Sequence, residues 1–202
     1  MTQSKLIMFD FDGVIVDSLD HQCRAFVETV RAEGFADLAT AEQFLEFTES
    51  NWFEALAAAG VPPTVVSEVE NAFGAAPSPE LFPEMATVVE RLTAAHRVIV
   101  ITSSRTDVVE RVLAEHSVRG VAEVIGGDQD ESKTRKIDNA RRRFGRALAA
   151  WYVGDTVGDI LEARRAGVGT VGVAWGWHGV ERLRRANPDH MAHAPSDLLD
   201  LF

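Results

Sequence analysis

The chain has 202 residues, enough for one domain, or one domain with a modest insertion, whose core needs no disulfide or structural metal. Its net charge of −11, from 20 basic and 31 acidic residues, argues against nonspecific binding to nucleic acid or to an anionic membrane. A single cysteine, Cys23, excludes an internal disulfide and fits a reducing compartment, so a cytoplasmic location is expected. Asp10 and Asp12 interrupt the first apolar run, so no signal peptide is expected, and the apolar stretches are too short for a membrane-spanning helix.

In chain order, Lys5 to Phe9 reads as a short buried strand. From Ser18 the pattern turns helical and stays so, in four stretches: Ser18 to Glu33, one starting at Thr40, Asn51 to Ala59 closed by Gly60, and one opened by Pro62 and Pro63. Nothing from Ser18 to Ala76 has the pattern of a strand. The proline-rich "APSPELFPE" that follows reads as a linker. Strands and helices then alternate. Strands are expected at Arg97 to Ile101, Val121 to Ile125, Ala150 to Val153 and Thr170 to Ala174. Helices are expected at Pro83 to Ala95, Arg105 to His116, Ser132 to Phe144, Val157 to Ala166 and Asp197 to Phe202. That alternation predicts an α/β fold: a Rossmann-like parallel sheet covered on both faces, interrupted once by a helical insertion.

In such sheets ligands bind beyond the carboxyl ends of the strands. Asp10 and Asp12 follow the first strand, Thr102, Ser103 and Ser104 follow "VIVI", and Asp155 with Asp159 follow "WYVG". Asp10 does not begin an EF-hand, because counting from it the glycine comes fourth, as Gly13, and the twelfth residue is His21. Helix capping suits Asp17 or Ser18 but not Asp10. What remains is a pair of carboxylates two apart in extended chain, facing one centre, whose environments can split their duties between attack and proton transfer. Asp155 and Asp159 add further oxygen donors, and several carboxylates in one pocket call for a cation; Mg²⁺ suits them.

Thr102 reads as a ligand-binding hydroxyl, and Ser104 as a helix N-cap. Lys133 and Lys136 open a helix, where lysine is usually a surface residue; the alternative is a cation aimed at the acidic crevice, with Lys133 nearer to it. "GVGTVG", Gly167 to Gly172, matches a dinucleotide fingerprint by spacing but follows a helix and leads into a strand, so turn glycines are expected. His190 and His193 in "DHMAH" read as surface residues of a tail, and Trp175 and Trp177 as packing residues.

In order along the chain, "FDFDG", "VIVITS", Lys133 at a helix start and "YVGDTVGDI" resemble the haloacid dehalogenase superfamily, on its phosphatase side. "GDTVGDILEARRAGVGTVGVAWG" is similar to phosphoglycolate-phosphatase-type members. The resemblance implies a core of residues 1–16 and 78–202 with a helical cap at 17–77. It implies a Mg²⁺-dependent phosphomonoester hydrolase acting on a small phosphorylated metabolite through an aspartyl-phosphate. Asp10 would be the nucleophile and Asp12 the acid and base. Gly13, Thr102, Ser103 and Lys133 would contact phosphate or substrate, and Asp10, Asp12 (through its backbone carbonyl), Asp155 and Asp159 would hold the metal. Ser103 and the Ser132–Lys133–Thr134 run depart from the family's usual asparagine and lysine-proline pair. A sugar-phosphate mutase shares all four motifs but tends to carry a histidine where Gln22 aligns; a non-catalytic binding protein would have lost a motif aspartate. His21, Arg24, Glu49, Asn51 and Trp52 are candidates for the inner face of the cap.

Overall fold

The computed structural model describes residues 4–202. Its centre is a six-stranded sheet: β1 (Leu6–Phe9), β4 (Arg97–Ile101), β5 (Val124–Ile125), β6 (Ala150–Gly154), β7 (Gly169–Val173) and β8 (His190–Ala192). The order across the sheet is β5-β4-β1-β6-β7-β8, and every pairing is parallel. The expected α/β class is therefore the observed one. Alternate residues of a strand face opposite sides. Ile7 and Phe9 of β1 join Val98, Val100, Val153 and Val171 in one apolar layer. Leu6 and Met8 join Ile99, Ile101 and Tyr152 in the other. Helices α5 (Met85–Thr93), α6 (Thr106–Glu115) and α10 (Leu198–Leu201) cover the first layer, and α7 (Lys133–Phe144) and α8 (Val157–Arg165) cover the second.

The chain leaves β1 at the sheet's centre, returns to its one side through β4 and β5, and then crosses to its other side through β6. That is the point in an open sheet where a crevice forms. Register sharpens it: Phe9 is paired with both Val100 and Val153. The residues just past these three strands, Asp10, Thr102 and Asp155, are thereby brought to one rim.

Between β1 and β4 lie α1 (Leu19–Ala32), α2 (Ala41–Phe47), α3 (Trp52–Ala58) and α4 (Pro63–Ala75). Thr40 and Asn51 cap α2 and α3, each accepting a backbone N–H from the residue three further on. These helices bury their own apolar cluster around Phe26, Phe44, Phe47, Trp52 and Leu56. The proline-rich stretch is not the plain linker that the sequence led one to expect. Glu80–Leu81 inside it forms β3, antiparallel to β2 at Val16–Asp17, so the chain's exit to the helices and its return are laced together. Two residues of strand carry no periodicity to read. The C-terminal region is also more ordered than expected: Gly179–Ala186 is a helix, α9, and His190 lies in edge strand β8, its ring 5.3 Å from that of Trp151. No helix of the described residues is long and apolar enough to cross a membrane.

Candidate active site

Asp10 is the first residue past β1. Its backbone N–H still donates to Val153 O at 2.8 Å, so strand pairing fixes where its side chain begins. Asp10 Oδ1 accepts from Phe11 N at 2.7 Å and Oδ2 from Lys133 Nζ at 2.6 Å. Lys133 Nζ also donates to Asp159 Oδ1 at 2.5 Å, so one ammonium bridges two carboxylates from different strand ends. Of the two lysines that open α7, Lys133 is thus the one in the crevice. Lys136, also buried, donates to Thr102 O and Gly126 O and braces the ends of β4 and β5; burial pulls it down to about 8.

Asp155, past β6, accepts from Trp177 N at 2.7 Å through Oδ2, while its Oδ1 is buried and has no partner among the described residues. Asp159 Oδ2 accepts from Thr156 N and Oγ1, closing a capping box at the start of α8. Oxygens of Asp10, Asp155 and Asp159 lie within 4.8 Å of one another. Burial, then the neighbouring charges of Asp159 and Asp10, push Asp155 well above the carboxylate range. Asp10 is raised to about 7, chiefly by burial, with Lys133 opposing. Burial also works against the charge of Asp159, yet Lys133 holds that carboxyl below its ordinary value. One ammonium therefore faces three buried carboxylates, one of which has an unpartnered oxygen. Hard oxygen donors short of positive charge fit Mg²⁺.

The Asp12 side chain is not among those three. Its two oxygens accept from Gln22 Nε2 and from Ser104 Oγ, and burial raises its pKa. Ser104 is hence no helix cap: the residue preceding α6 is Arg105, and Ser104 faces Asp12. Thr102 is buried and its Oγ1 accepts from Ser104 N, which orders the turn after β4; Ser103 lines the cavity. Gly13 sits in the left-handed region at φ 72°, and a Cβ there would lie 2.0 Å from Asp155 Oδ2. Its lack of a side chain lets the loop after β1 close on Asp155.

Asp10, Asp12, Thr102, Ser103, Ser104, Lys133, Asp155 and Asp159 line a cavity of about 90 Å³ between the sheet rim and helices α1 to α4. His21, Trp52 and Phe73 belong to its wall, as does Trp177, whose ring stands 5.3 Å from Phe44. Trp175 does not reach in and donates to Val14 O instead. Of the other inner-face candidates, Arg24 lines a separate depression and Glu49 pairs with Arg182. Asn51 donates to Glu131 O and to Glu162, a buried carboxylate on α8. Glu162 and His178, which accepts from Val157 N and faces Thr48 Oγ1, were not anticipated. For Glu162 a signal existed: it lies one turn beyond Asp159 on the same buried helix face.

The sequence matches the profile of the haloacid dehalogenase-like hydrolases over residues 7–173. The chain belongs to this family. Among curated relatives, a phosphoglycolate phosphatase of Synechococcus elongatus is 29% identical over 96% of this chain and 94% of its own. A pyrophosphatase of Bacillus velezensis, PpaX, is 25% identical over 96% and 94%. The structure of a haloacid dehalogenase-like hydrolase from Streptococcus pneumoniae superposes with a TM-score of 0.79, at 24% identity, over all of both chains, and shares the fold.

Proposed function

We propose that this hydrolase is a Mg²⁺-dependent phosphomonoesterase that acts on a small phosphorylated metabolite through an aspartyl-phosphate. The observation that carries the proposal is the buried constellation of Asp10, Lys133, Asp155 and Asp159, with Asp12 held apart from it. The phosphatase and pyrophosphatase relatives support hydrolysis at phosphorus. The small cavity supports a small substrate, since a water takes about 10–15 Å³ on the same measure. We further propose that residues 17–77 serve as the cap that closes the site.

In this reading an Asp10 carboxylate oxygen bonds to phosphorus as the bond to the leaving oxygen breaks. Asp12, as the acid, gives its proton to that oxygen. Asp12, now a carboxylate, takes a proton from water as water attacks the phosphorylated Asp10, which frees phosphate and regenerates both groups. Lys133 holds Asp10 oriented and contributes positive charge toward the phosphoryl oxygens, with Thr102, Ser103 and Gly13 at the rim. Asp10, Asp155 and Asp159, and the backbone carbonyl of Asp12, would hold Mg²⁺. When bound, that ion supplies charge neutralisation for the phosphoryl group. A neutral amide, Gln22, stands where a mutase tends to carry histidine, but His21 beside it lines the cavity, so this weighs only modestly for hydrolysis over transfer between sugar hydroxyls.

Phosphate release from a panel of phosphorylated metabolites, with Mg²⁺ or with EDTA, tests the proposal. Asp10→Asn is expected to lose a factor of about 10³ or more while keeping its far-ultraviolet circular dichroism. Equal turnover by the two proteins, or turnover indifferent to EDTA, would sink it.

A further inference from the structure

Asp12 is held at both oxygens, and the two holders are not equivalent. Gln22 Nε2 donates to Oδ1, and Ser104 Oγ meets Oδ2 at 2.5 Å. An amide nitrogen only donates, whereas a hydroxyl donates or accepts. A proton on Oδ1 would point at the Gln22 N–H. A proton on Oδ2 can instead face Ser104, whose hydroxyl turns to accept. Both partners are neutral; Ser104 and the nearby Ser18 hydroxyl, with the charges of His21 and Lys133, favour the carboxylate form of Asp12, but burial outweighs them.

The two holders also come from different parts of the chain. Ser104 belongs to the loop after β4, at the sheet rim. Gln22 lies on α1, whose Phe26 and Val30 are anchored in the apolar cluster of the four inserted helices. Gln22 is itself buried, 6% exposed, although it is polar and near the start of its helix. Nothing in helix packing demands a buried amide there. Its burial against Asp12 is the interaction that accounts for it.

We propose that Gln22 is a positioning residue for Asp12: it marks Oδ1 as the accepting oxygen, leaves Oδ2 to carry the proton, and makes that arrangement depend on the inserted helices being seated on the core. The inference rests on Asp12 as the proton donor. In the step concerned, the proton leaves Asp12 Oδ2 for the ester oxygen as the bond from phosphorus to that oxygen breaks and the bond to Asp10 forms. A departing 4-nitrophenolate needs little of that proton, and an alkoxide needs it fully.

The test is kcat/KM, which reports only the steps through departure of the leaving group, measured over aryl and alkyl phosphates of increasing leaving-group basicity. Gln22→Met keeps the length and bulk of the side chain without the donor. It is expected to lose about tenfold or more beyond its loss on 4-nitrophenyl phosphate when the substrate is an unactivated alkyl phosphate. Gln22→Glu, which sets a carboxylate against Asp12, should steepen the dependence further and serves if the methionine variant folds poorly. A uniform loss over the series, as a purely structural role would give, overturns the inference, and so does no loss. Asp12→Asn separates premise from inference. A flat series for Asp12→Asn removes the premise. A steep series for Asp12→Asn beside a flat one for Gln22→Met refutes the role of Gln22 alone.

Discussion

Gly13 meets two demands at once. The loop after β1 needs a positive φ there, and a Cβ at that position would overlap the Asp155 carboxylate and come within 2.8 Å of Trp177 Cδ1. Either demand alone favours glycine. Gly13→Ala is expected to destabilise the protein by about 1–3 kcal/mol and to lose most of its activity, because relief requires Asp155 to move. Urea unfolding together with phosphate release checks this; a variant of normal stability and turnover would show that the loop has room to spare. At this scale much of the candidate site is legible in the sequence. Asp10, Asp12, Asp155 and Thr102 stand at the ends of apolar runs, and a strand's end is visible in one dimension. Ser104 is not legible in this way, because a serine before a helix looks alike whether it caps that helix or faces a carboxylate 92 residues earlier. Lys133 and Lys136 could not be parted with certainty either, since both turn inward and only the ends of β4 and β5 give the second lysine its partners.

At the scale of elements, the inserted helices meet the core through backbone and side chain together. Gly158 N donates to Thr48 O at 3.1 Å, and a Cβ on Gly158 would strike the carbonyl oxygens of Ser50 and Thr48. Beside this, Asn51 serves two structures: its Oδ1 caps α3, and its Nδ2 satisfies Glu162. Asn51→Ala therefore uncaps a helix and leaves a buried carboxylate short of a donor. A loss of roughly 1–3 kcal/mol is expected. Asn51→Asp should cost more, since it keeps the cap but sets a second carboxylate against Glu162. If thermal unfolding places Asn51→Asp above Asn51→Ala, the pairing with Glu162 is not what matters. The helices themselves were plain from Thr40, Asn51 and the two prolines. Strands β2 and β3 were not, because two residues carry no period, and the linker's prolines described its composition rather than its pairing.

Over the whole molecule, the site depends on strand order. β1 lies at the centre, and chain segments from its two sides supply Thr102 and Lys133 on one hand and Asp155 and Asp159 on the other. The seating of the helices on this core carries its own pH dependence. His178 is buried between Val157 N, Thr48 Oγ1 and Leu45 O, with Arg182, Asp159 and Glu49 among the charges around it. Burial first, and Arg182 with it, bring it down to about 4 from an ordinary 6.5. In the native protein it stays neutral through that interval, while in the unfolded chain it takes up a proton. Stability is therefore expected to fall as pH drops from 6.5 toward 4, and His178 should leave it unchanged above 6.5. His178→Asn should flatten that part of the profile of melting temperature against pH; parallel profiles for the two proteins would assign the acid loss elsewhere.

Sequence alone determined the class of fold, the family and the acidic strand ends, because each of these is written locally: in a period, in a strand's last residue, in a motif's order. Tertiary structure alone decided which carboxylate faces which partner. Asn51 with Glu162, 111 residues apart, Ser104 with Asp12 and Gln22 with Asp12 are pairings made when separate segments are brought together by burial, and each is energetically meaningful only once water is excluded from it. A side chain's type is fixed by its codon, but its partner is fixed by the packing of everything between.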